Sequence, residues 1–370
     1  MKGIIYSLPL ALLLWLLLAT AIAKADFTTD YNKWRDNAVN YGRQFCALLS
    51  DPACGPDCQV ASIYYDQEKV FRKIQSTWGG AEWTACALKA QEVYLNYIGG
   101  NALQVPGYRN FTEGLALGGD KATVYELSTK AAYARQESYG EDINNPDLSR
   151  EISYAIVSYL DAENAGYPLN PLYDSRISAA FTHFNRWFVV GDVPYVRPFM
   201  VALSARALIR ANAAHPDLRT VPVLRSAADW LWNRTWIQQS RAFAYTDRVH
   251  SSGGTEPAPD LNLLIAPLYY WLYSKTGEVV WRDRGDAIFE GGVNQAFFAS
   301  GKQFNQNYFW MFEGIMWRTL GDAVVVTPTP TPTKTPTRIP TATPTPAPCS
   351  YARSLVAHDC RLKRLEEKVK

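Results

Sequence analysis

The chain has 370 residues, of which 48% are apolar, 19% are charged and 13% are aromatic. This composition is that of a globular protein and excludes a fibrous or low-complexity chain. Ten basic and three acidic residues lie in 1–25 and 327–370, which leaves a net charge of −5 for residues 26–326. An acidic body of this kind argues against nucleic acid as a partner.

The first 25 residues have the pattern of a secretory signal peptide. Lys2 gives a short positive region, Leu8 to Ala23 is almost wholly apolar, and Ala23-Lys24-Ala25 has the small residues that signal peptidase requires. An uncleaved anchor is the alternative, because the apolar stretch from Ile4 approaches the roughly 20 residues that span a bilayer. We favour cleavage after Ala25, which predicts a secreted protein with no membrane contact after cleavage.

Cysteine usage agrees with export, since disulfides persist outside the cytosol. Four of the six cysteines lie near the start of the body and allow three pairings. Of these we favour Cys46 with Cys54 and Cys58 with Cys86. A zinc site at Cys54 and Cys58 is the alternative, but no histidine lies within the usual ligand spacing. Neither a metal nor another cofactor is therefore expected.

Apolar residues recur at helical spacing through most of residues 26–326. Ile152, Ile156 and Tyr159, for example, fall on one face of a helix. Short glycine-containing turns separate these segments, and connections this short make neighbouring helices antiparallel. Convincing strands are almost absent from the pattern. The predicted helices span 29–50, 59–77, 81–98, 119–138, 148–164, 170–189, 195–214, 220–238, 258–275, 278–298 and 304–321.

Two all-α architectures fit this series, an open solenoid of helical pairs and a closed ring of about six pairs. The common solenoids carry a recognisable repeat, and this sequence has none. The stretch from Asp260 to Trp271, with Trp281-Arg282-Asp283 and Phe309 to Glu313, resembles the late hairpins of six-hairpin (α/α)6-toroid proteins. The resemblance is specific over about 255–318 and contains no catalytic motif that can be carried over residue by residue.

The (α/α)6-toroid superfamily includes glycoside hydrolases, polysaccharide lyases and sugar epimerases. The resemblance therefore implies an all-α toroid over residues 26–326, with about six helical hairpins and carbohydrate as the partner. It implies a class of activity and no particular mechanism.

Glycoside hydrolysis requires two carboxylates across a cleft, one as acid and one as base or nucleophile. Two long polar loops, 244–259 and 111–120, and one carboxylate among aromatic residues supply candidates. Loops of this length are more often functional than shorter ones. The predicted catalytic residues are Glu313, Asp247, Glu256, Asp260 and Glu113.

All of these candidates except Glu113 also have a structural explanation. Asp260 stands where a helix N-cap belongs, as does Asp120, the other acidic residue of the 111–120 loop. The two acidic residues within the 244–259 loop are alternatively solvated charges. Glu313 lies among aromatic side chains, where a carboxylate is costly unless it is paired, and an ion pair with Arg318 is its structural alternative.

Sugars pack their apolar C–H faces against aromatic rings. Most tryptophans of such a fold belong to the core, and aromatic residues near helix ends or in loops are the better candidates. The predicted stacking residues are Trp78, Tyr195, Tyr245 and Trp310.

Two other functions stay open beside hydrolysis. A polysaccharide lyase would use Tyr245 or His250 as a base and Arg248 to neutralise a uronate carboxylate. A non-catalytic glycan-binding or surface-display protein would keep the ring and lack the carboxylate pair. The acidic body argues mildly against an anionic polymer, so hydrolysis is the favoured function.

Residues 327–348 form a threonine- and proline-rich tract, which predicts an extended spacer because it can neither pair its backbone nor bury apolar area. The remaining segment, 349–370, is too short for a domain. We expect Cys349 to pair with Cys360 there, ahead of a basic segment that begins at Arg361. A disordered tail is the favoured interpretation, and attachment to a cell surface is the alternative.

Overall fold

The computed structural model describes residues 27–101, 112–131, 149–251, 253–298 and 300–326. The signal segment, the threonine- and proline-rich tract and the tail with Cys349 and Cys360 lie outside these ranges. Within them the protein is mostly helical, which confirms the all-α prediction. No helix in the described ranges has the length and apolar character needed to cross a membrane.

The helices are named here in chain order. They are α1 (Phe27–Leu48), α2 (Pro56–Ile63), α3 (Gln67–Trp78), α4 (Glu82–Asn101), α5 (Thr112–Gly118), α6 (Lys121–Glu126), α7 (Ser149–Asn164), α8 (Tyr173–Asn185), α9 (Pro198–Ala214), α10 (Thr220–Thr235), α11 (Asn262–Thr276), α12 (Val279–Gln295), α13 (Gly301–Tyr308) and α14 (Met311–Val326). Two strands, β1 (Trp236–Ile237) and β2 (Ala242–Phe243), form a small antiparallel hairpin after α10.

Two predicted helices are each divided in the structure. The one over 59–77 is interrupted at Tyr65 and Asp66, whose φ angles of 63° and 56° lie in the left-handed region. This break ends α2 and starts α3, because the Asp66 side chain accepts a hydrogen bond from the Lys69 backbone N–H and caps the new helix. The predicted helix over 304–321 is likewise divided into α13 and α14.

The loop predicted from Phe111 to Asp120 is wrong, because it contains the short helix α5. Asp120 caps the next helix, α6, through the Thr123 backbone N–H at 3.2 Å, which confirms the capping interpretation of that residue.

The disulfide pairing predicted for the first four cysteines is also wrong. Cys46 pairs with Cys86, and Cys54 pairs with Cys58. The first bond joins α1 to α4, which pack against each other, and the second closes the turn that leads into α2. Spacing alone cannot choose among the three pairings, because it does not show which helices face each other. Two disulfides are compatible with an extracellular protein.

Six helices contact one another in succession along the chain, namely α3, α5, α7, α9, α11 and α14. Helices α7 and α9 run in the same direction, because residues later in α7 contact residues later in α9. The Ser153 and Ser204 hydroxyl groups are 3.1 Å apart, and further along Arg210 donates to Asp161 at 2.7 Å.

Helices α11 and α14 are parallel by the same criterion. Pro267 packs against Gly314, and about two turns later Tyr273 donates a hydrogen bond to Asp322 at 2.9 Å. Pro267 is tolerated inside α11 because the residue that faces it in α14 is a glycine.

The first helix packs against elements from the end of the described chain. The buried Tyr308 hydroxyl in α13 donates to the Trp34 carbonyl oxygen of α1 at 2.9 Å. Asn294 in α12 donates to the Asp30 carboxylate at 3.0 Å. The two ends of the helical series are therefore in contact.

Candidate functional site

The first turns of α3, α5 and α14 bring three charged side chains together. Lys69 Nζ lies 3.2 Å from Glu113 Oε2 and 3.1 Å from Glu313 Oε1. The Lys69 side chain is 1% exposed, whereas those of Glu113 and Glu313 are 14% and 21% exposed. One buried ammonium group thus links two partly open carboxylates.

Helix α9 adds two arginines to this group. Arg206 donates to Glu113 Oε2, and Arg210 Nη1 lies 2.8 Å from Glu113 Oε1. Arg210 also donates to Asp161 of α7 at 2.7 Å, and the Thr112 hydroxyl donates to the same carboxylate at 2.5 Å. Glu113 is therefore held by cations on both of its oxygens. We call Lys69, Glu113, Asp161, Arg206, Arg210 and Glu313 the charged cluster.

Glu313 has looser contacts than Glu113. Lys73 Nζ lies 3.6 Å from the oxygen that also contacts Lys69, and the other oxygen, Oε2, is buried without a hydrogen-bond partner among the described residues. Burial raises the pKa of Glu313, but Lys69, Lys73 and Arg206 outweigh it and hold the pKa below its usual range. A carboxylate that stays ionised suits a base or a nucleophile.

Burial raises the pKa of a carboxylate but lowers that of a cation, and Lys69 and Arg206 are the two most enclosed cations of the cluster. It lowers the pKa of Lys69 to about 7, against the attraction of Glu313, and it lowers the pKa of Arg206 to about 9. The Phe309 ring covers both, with its centre 5.1 Å from Lys69 Nζ and 4.4 Å from Arg206 Cζ. The charged cluster therefore has an aromatic wall.

The turn before α3 extends this wall. The Tyr65 ring lies 5.7 Å from the Phe309 ring, and burial raises the pKa of Tyr65. Non-glycine residues in the left-handed region cost on the order of 1–3 kcal/mol and are concentrated at functional sites. Two such residues in a row, Tyr65 and Asp66, directly precede the helix that carries Lys69.

Asp247 and Glu256 have surroundings of a different kind. Asp247 Oδ1 accepts a hydrogen bond from the Val196 backbone N–H at 2.7 Å, and Oδ2 lies 2.6 Å from Arg248. Asp247 thus fastens its loop to the segment before α9. Glu256 is exposed on the same loop.

Asp260 and Arg318 do not have the partners that the sequence suggested. Asp260 accepts a hydrogen bond from the Phe297 backbone N–H at 2.7 Å, and Leu261, without a side-chain cap, precedes α11. The N-cap interpretation of Asp260 is therefore wrong. Arg318 pairs with Asp286 and Asp322, so the ion pair that was the structural alternative for Glu313 forms with lysines and not with Arg318.

Two of the four predicted stacking residues are buried. Trp310 is 1% exposed and packs edge to face with Trp317. Tyr195 is 5% exposed, and its ring lies 4.1 Å from the His250 ring. Neither ring presents a free face to solvent in this conformation.

The other two, Trp78 and Tyr245, are half-buried. Trp78 donates its indole N–H to the Tyr31 hydroxyl at 3.1 Å. The Tyr245 ring lies 5.8 Å from Phe199, with the Arg197 guanidinium 5.4 Å from its centre. These two rings keep part of their surface open.

Both glutamates of the charged cluster were predicted from the sequence, whereas Asp161 and the three cations were not. Arg206 did leave a signal, because it interrupts an apolar run from Phe199 to Ile209 on a helix. A cation in such a run is rarely buried without a partner. The sequence around Lys69 gives no such signal, because this residue lies in the polar stretch Gln67-Glu68-Lys69.

Among the described residues, no group of three or more His, Cys, Asp or Glu side chains is placed to hold a metal ion. No protein-family model, no curated protein and no solved structure matches the chain. What the charged cluster can do is therefore inferred from its own residues.

Proposed function

We propose that this protein is secreted and hydrolyses glycosidic bonds, with Glu313 and Glu113 as its two carboxylates. The observation that carries the proposal is their convergence on Lys69 beside the Phe309 ring. Glu113 Oε2 and Glu313 Oε1 both contact Lys69 Nζ, so the distance between these two oxygens cannot exceed the sum of the two contact distances. Two carboxylates this close to each other can act on one glycosidic bond.

The proposed fold is the closed (α/α)6 toroid that the sequence resembles. Its support is the succession of contacts from α3 through α5, α7, α9 and α11 to α14, with Glu313 of α14 returning to Lys69 of α3. The parallel course of α7 with α9 and of α11 with α14 agrees with an inner ring whose helices all point the same way. The charged cluster would then form the floor of the central cleft.

The roles follow from the surroundings of each group. Glu313, ionised and with its side chain 21% exposed, would attack the anomeric carbon or activate water. Glu113, which is ionised at rest, would take a proton from the Lys69 ammonium group and pass it to the leaving oxygen. Lys69 contacts both carboxylates, and burial lowers its pKa to about 7, close to the operating pH of a proton donor; it would regain its proton from the water that completes hydrolysis.

One observation favours the non-catalytic glycan-binding alternative. Both oxygens of Glu113 are held by cations, an arrangement that stabilises its charge and opposes proton donation. Partly exposed Lys73 and Arg210 would suit the lyase alternative, because they could neutralise a uronate carboxylate.

A panel of neutral and uronate-containing polysaccharides tests the proposal. The mature chain is incubated with each, and new reducing ends, ultraviolet-absorbing unsaturated products and glycan binding are measured together. Hydrolysis predicts reducing ends without unsaturated product. Unsaturated product would support the lyase, binding alone would support the binding protein, and no response to any glycan would refute carbohydrate as the partner. Asp247→Asn should keep most of the activity, because Asp247 fastens a loop.

A further inference from the structure

We propose that Asp66 is a positioning residue, which sets the geometry of the Lys69–Glu113 pair by clamping α3 to α5. Its importance for catalysis rests on the proposed function, whereas the clamp itself does not. Asp66 touches none of the reacting groups and would act only through the two residues that it orients.

The clamp consists of two hydrogen bonds from one carboxylate. Asp66 Oδ1 accepts from the Lys69 backbone N–H at 3.0 Å, and Oδ2 accepts from the Gly114 backbone N–H at 2.9 Å. Lys69 carries the ammonium group, and Gly114 directly follows Glu113. A single buried side chain thus fixes the two backbone positions from which the ion pair projects.

Gly114 makes this approach possible. A Cβ atom on Gly114 would overlap Asp66 Oδ1 and lie 2.9 Å from the Lys69 backbone nitrogen. Neither atom can yield, because one is backbone and the other belongs to a carboxylate that is held by two hydrogen bonds. A side chain at this position would therefore push α5, and Glu113 with it, away from α3.

Gly118, one turn later on the same face of α5, offers a matched control. A Cβ atom there would meet Arg72 Nη2 at 2.6 Å and Glu68 Oε1 at 2.7 Å. Both atoms lie at the ends of flexible side chains and can move. Gly118→Ala therefore makes the same chemical change in the same helix without striking the clamp.

An ordinary helix cap would explain only half of this arrangement. The bond to Lys69 N–H caps α3, but the bond to Gly114 N–H serves a different element. Asp66→Asn separates the two roles, because asparagine caps helices about as well as aspartate and tolerates the left-handed conformation. Its amide nitrogen, however, cannot accept the second N–H.

The test measures the energetic coupling of Lys69 and Glu113 by a double-mutant cycle of Lys69→Met and Glu113→Gln in denaturant unfolding of the mature chain. The cycle is repeated in Asp66→Asn, Gly114→Ala and Gly118→Ala backgrounds. We expect the coupling energy to fall to less than half of its parent value in Asp66→Asn and Gly114→Ala. In Gly118→Ala it should be unchanged. Unchanged coupling in Asp66→Asn would overturn the proposal, because a simple cap lowers stability without altering the pair.

A second measurement covers the possibility that Gly114→Ala does not fold. In Asp66→Asn the Gly114 amide should exchange with solvent about tenfold faster than in the parent protein, as the loss of one hydrogen bond implies. An unchanged exchange rate would refute the clamp. Neither readout needs a substrate, so a failure to release sugar would refute the glycosidase proposal and leave the clamp intact. If the parent protein is active, Asp66→Asn should lower kcat more than it raises KM.

Discussion

Lys69 Nζ lies 3.1 Å from Glu313 Oε1, although the two residues belong to helices at opposite ends of the described chain. The lysine is almost fully buried and the glutamate is partly open, so the contact connects the core to the proposed cleft. Removing one member of a buried pair leaves the remaining charge without compensation, and that loss is far larger than the loss of a surface pair.

Lys69→Met should therefore destabilise the protein by about 3 kcal/mol, because Glu113 and Glu313 both lose their shared cation. The matched control is Lys89→Met, which removes a partly exposed lysine paired with Glu92 within α4. Its effect should stay below about 1 kcal/mol. Urea unfolding at neutral pH measures both, and equal small effects would show that the buried pair contributes little.

His183 should make stability depend on pH in the acid range. Its side chain is 1% exposed, neither ring nitrogen has a hydrogen-bond partner among the described residues, and burial together with Arg186 lowers its pKa from 6.5 to about 4. The unfolded chain then binds the proton more tightly than the folded one. Stability that is present above pH 6.5 is therefore lost as the pH falls toward about 4.

The full loss from His183 corresponds to about 3 kcal/mol. His183→Phe removes the titrating group and keeps an aromatic ring against Trp187, which lies 5.5 Å away. The variant should lose less stability than the parent protein between pH 6.5 and 4 when both are unfolded with urea across that range. Parallel curves for the two proteins would contradict the assignment.

The two disulfides should differ in their contribution to stability. The bond between Cys46 and Cys86 spans a sequence separation of 40, whereas that between Cys54 and Cys58 spans 4. Loop-closure entropy predicts losses of about 4 and about 2 kcal/mol when each pair is replaced by alanine. Thermal unfolding of the two double variants gives the comparison. Peptide mapping without reduction checks the pairing itself, and a bond between Cys46 and Cys54 would contradict the structure.

Sequence pattern located the long helices well. The apolar spacing predicts a helix over 148–164, and α7 spans Ser149–Asn164. It could not find the break at Tyr65 and Asp66, because that left-handed turn is stabilised by a contact to Gly114 in another helix. Helix α5 was missed for a related reason, since seven residues with two glycines have little helical signal of their own.

The residues of the candidate site likewise divide into those that local sequence can predict and those that depend on long-range packing. Glu313 could be recognised because a carboxylate among aromatic residues is locally unusual. Its partner Lys69 could not, since nothing in its own segment indicates burial, and only the packing of α3 against α5 and α14 brings the charges together. Asp247 was selected for its loop, yet its hydrogen bond to Val196 is a long-range contact that the local sequence does not show.

Sugar release by Glu313→Gln, compared with the parent protein and with Glu278→Gln, tests the central claim most directly. Glu278 carries the same side chain in an exposed pair with Arg225, so it controls for the chemical change. On a polysaccharide that the parent protein cleaves, we expect Glu313→Gln to release reducing ends at least about 100-fold more slowly and Glu278→Gln to keep the parent rate within about twofold. A folded Glu313→Gln variant that releases sugar at the parent rate would contradict the assignment of the charged cluster as the active site.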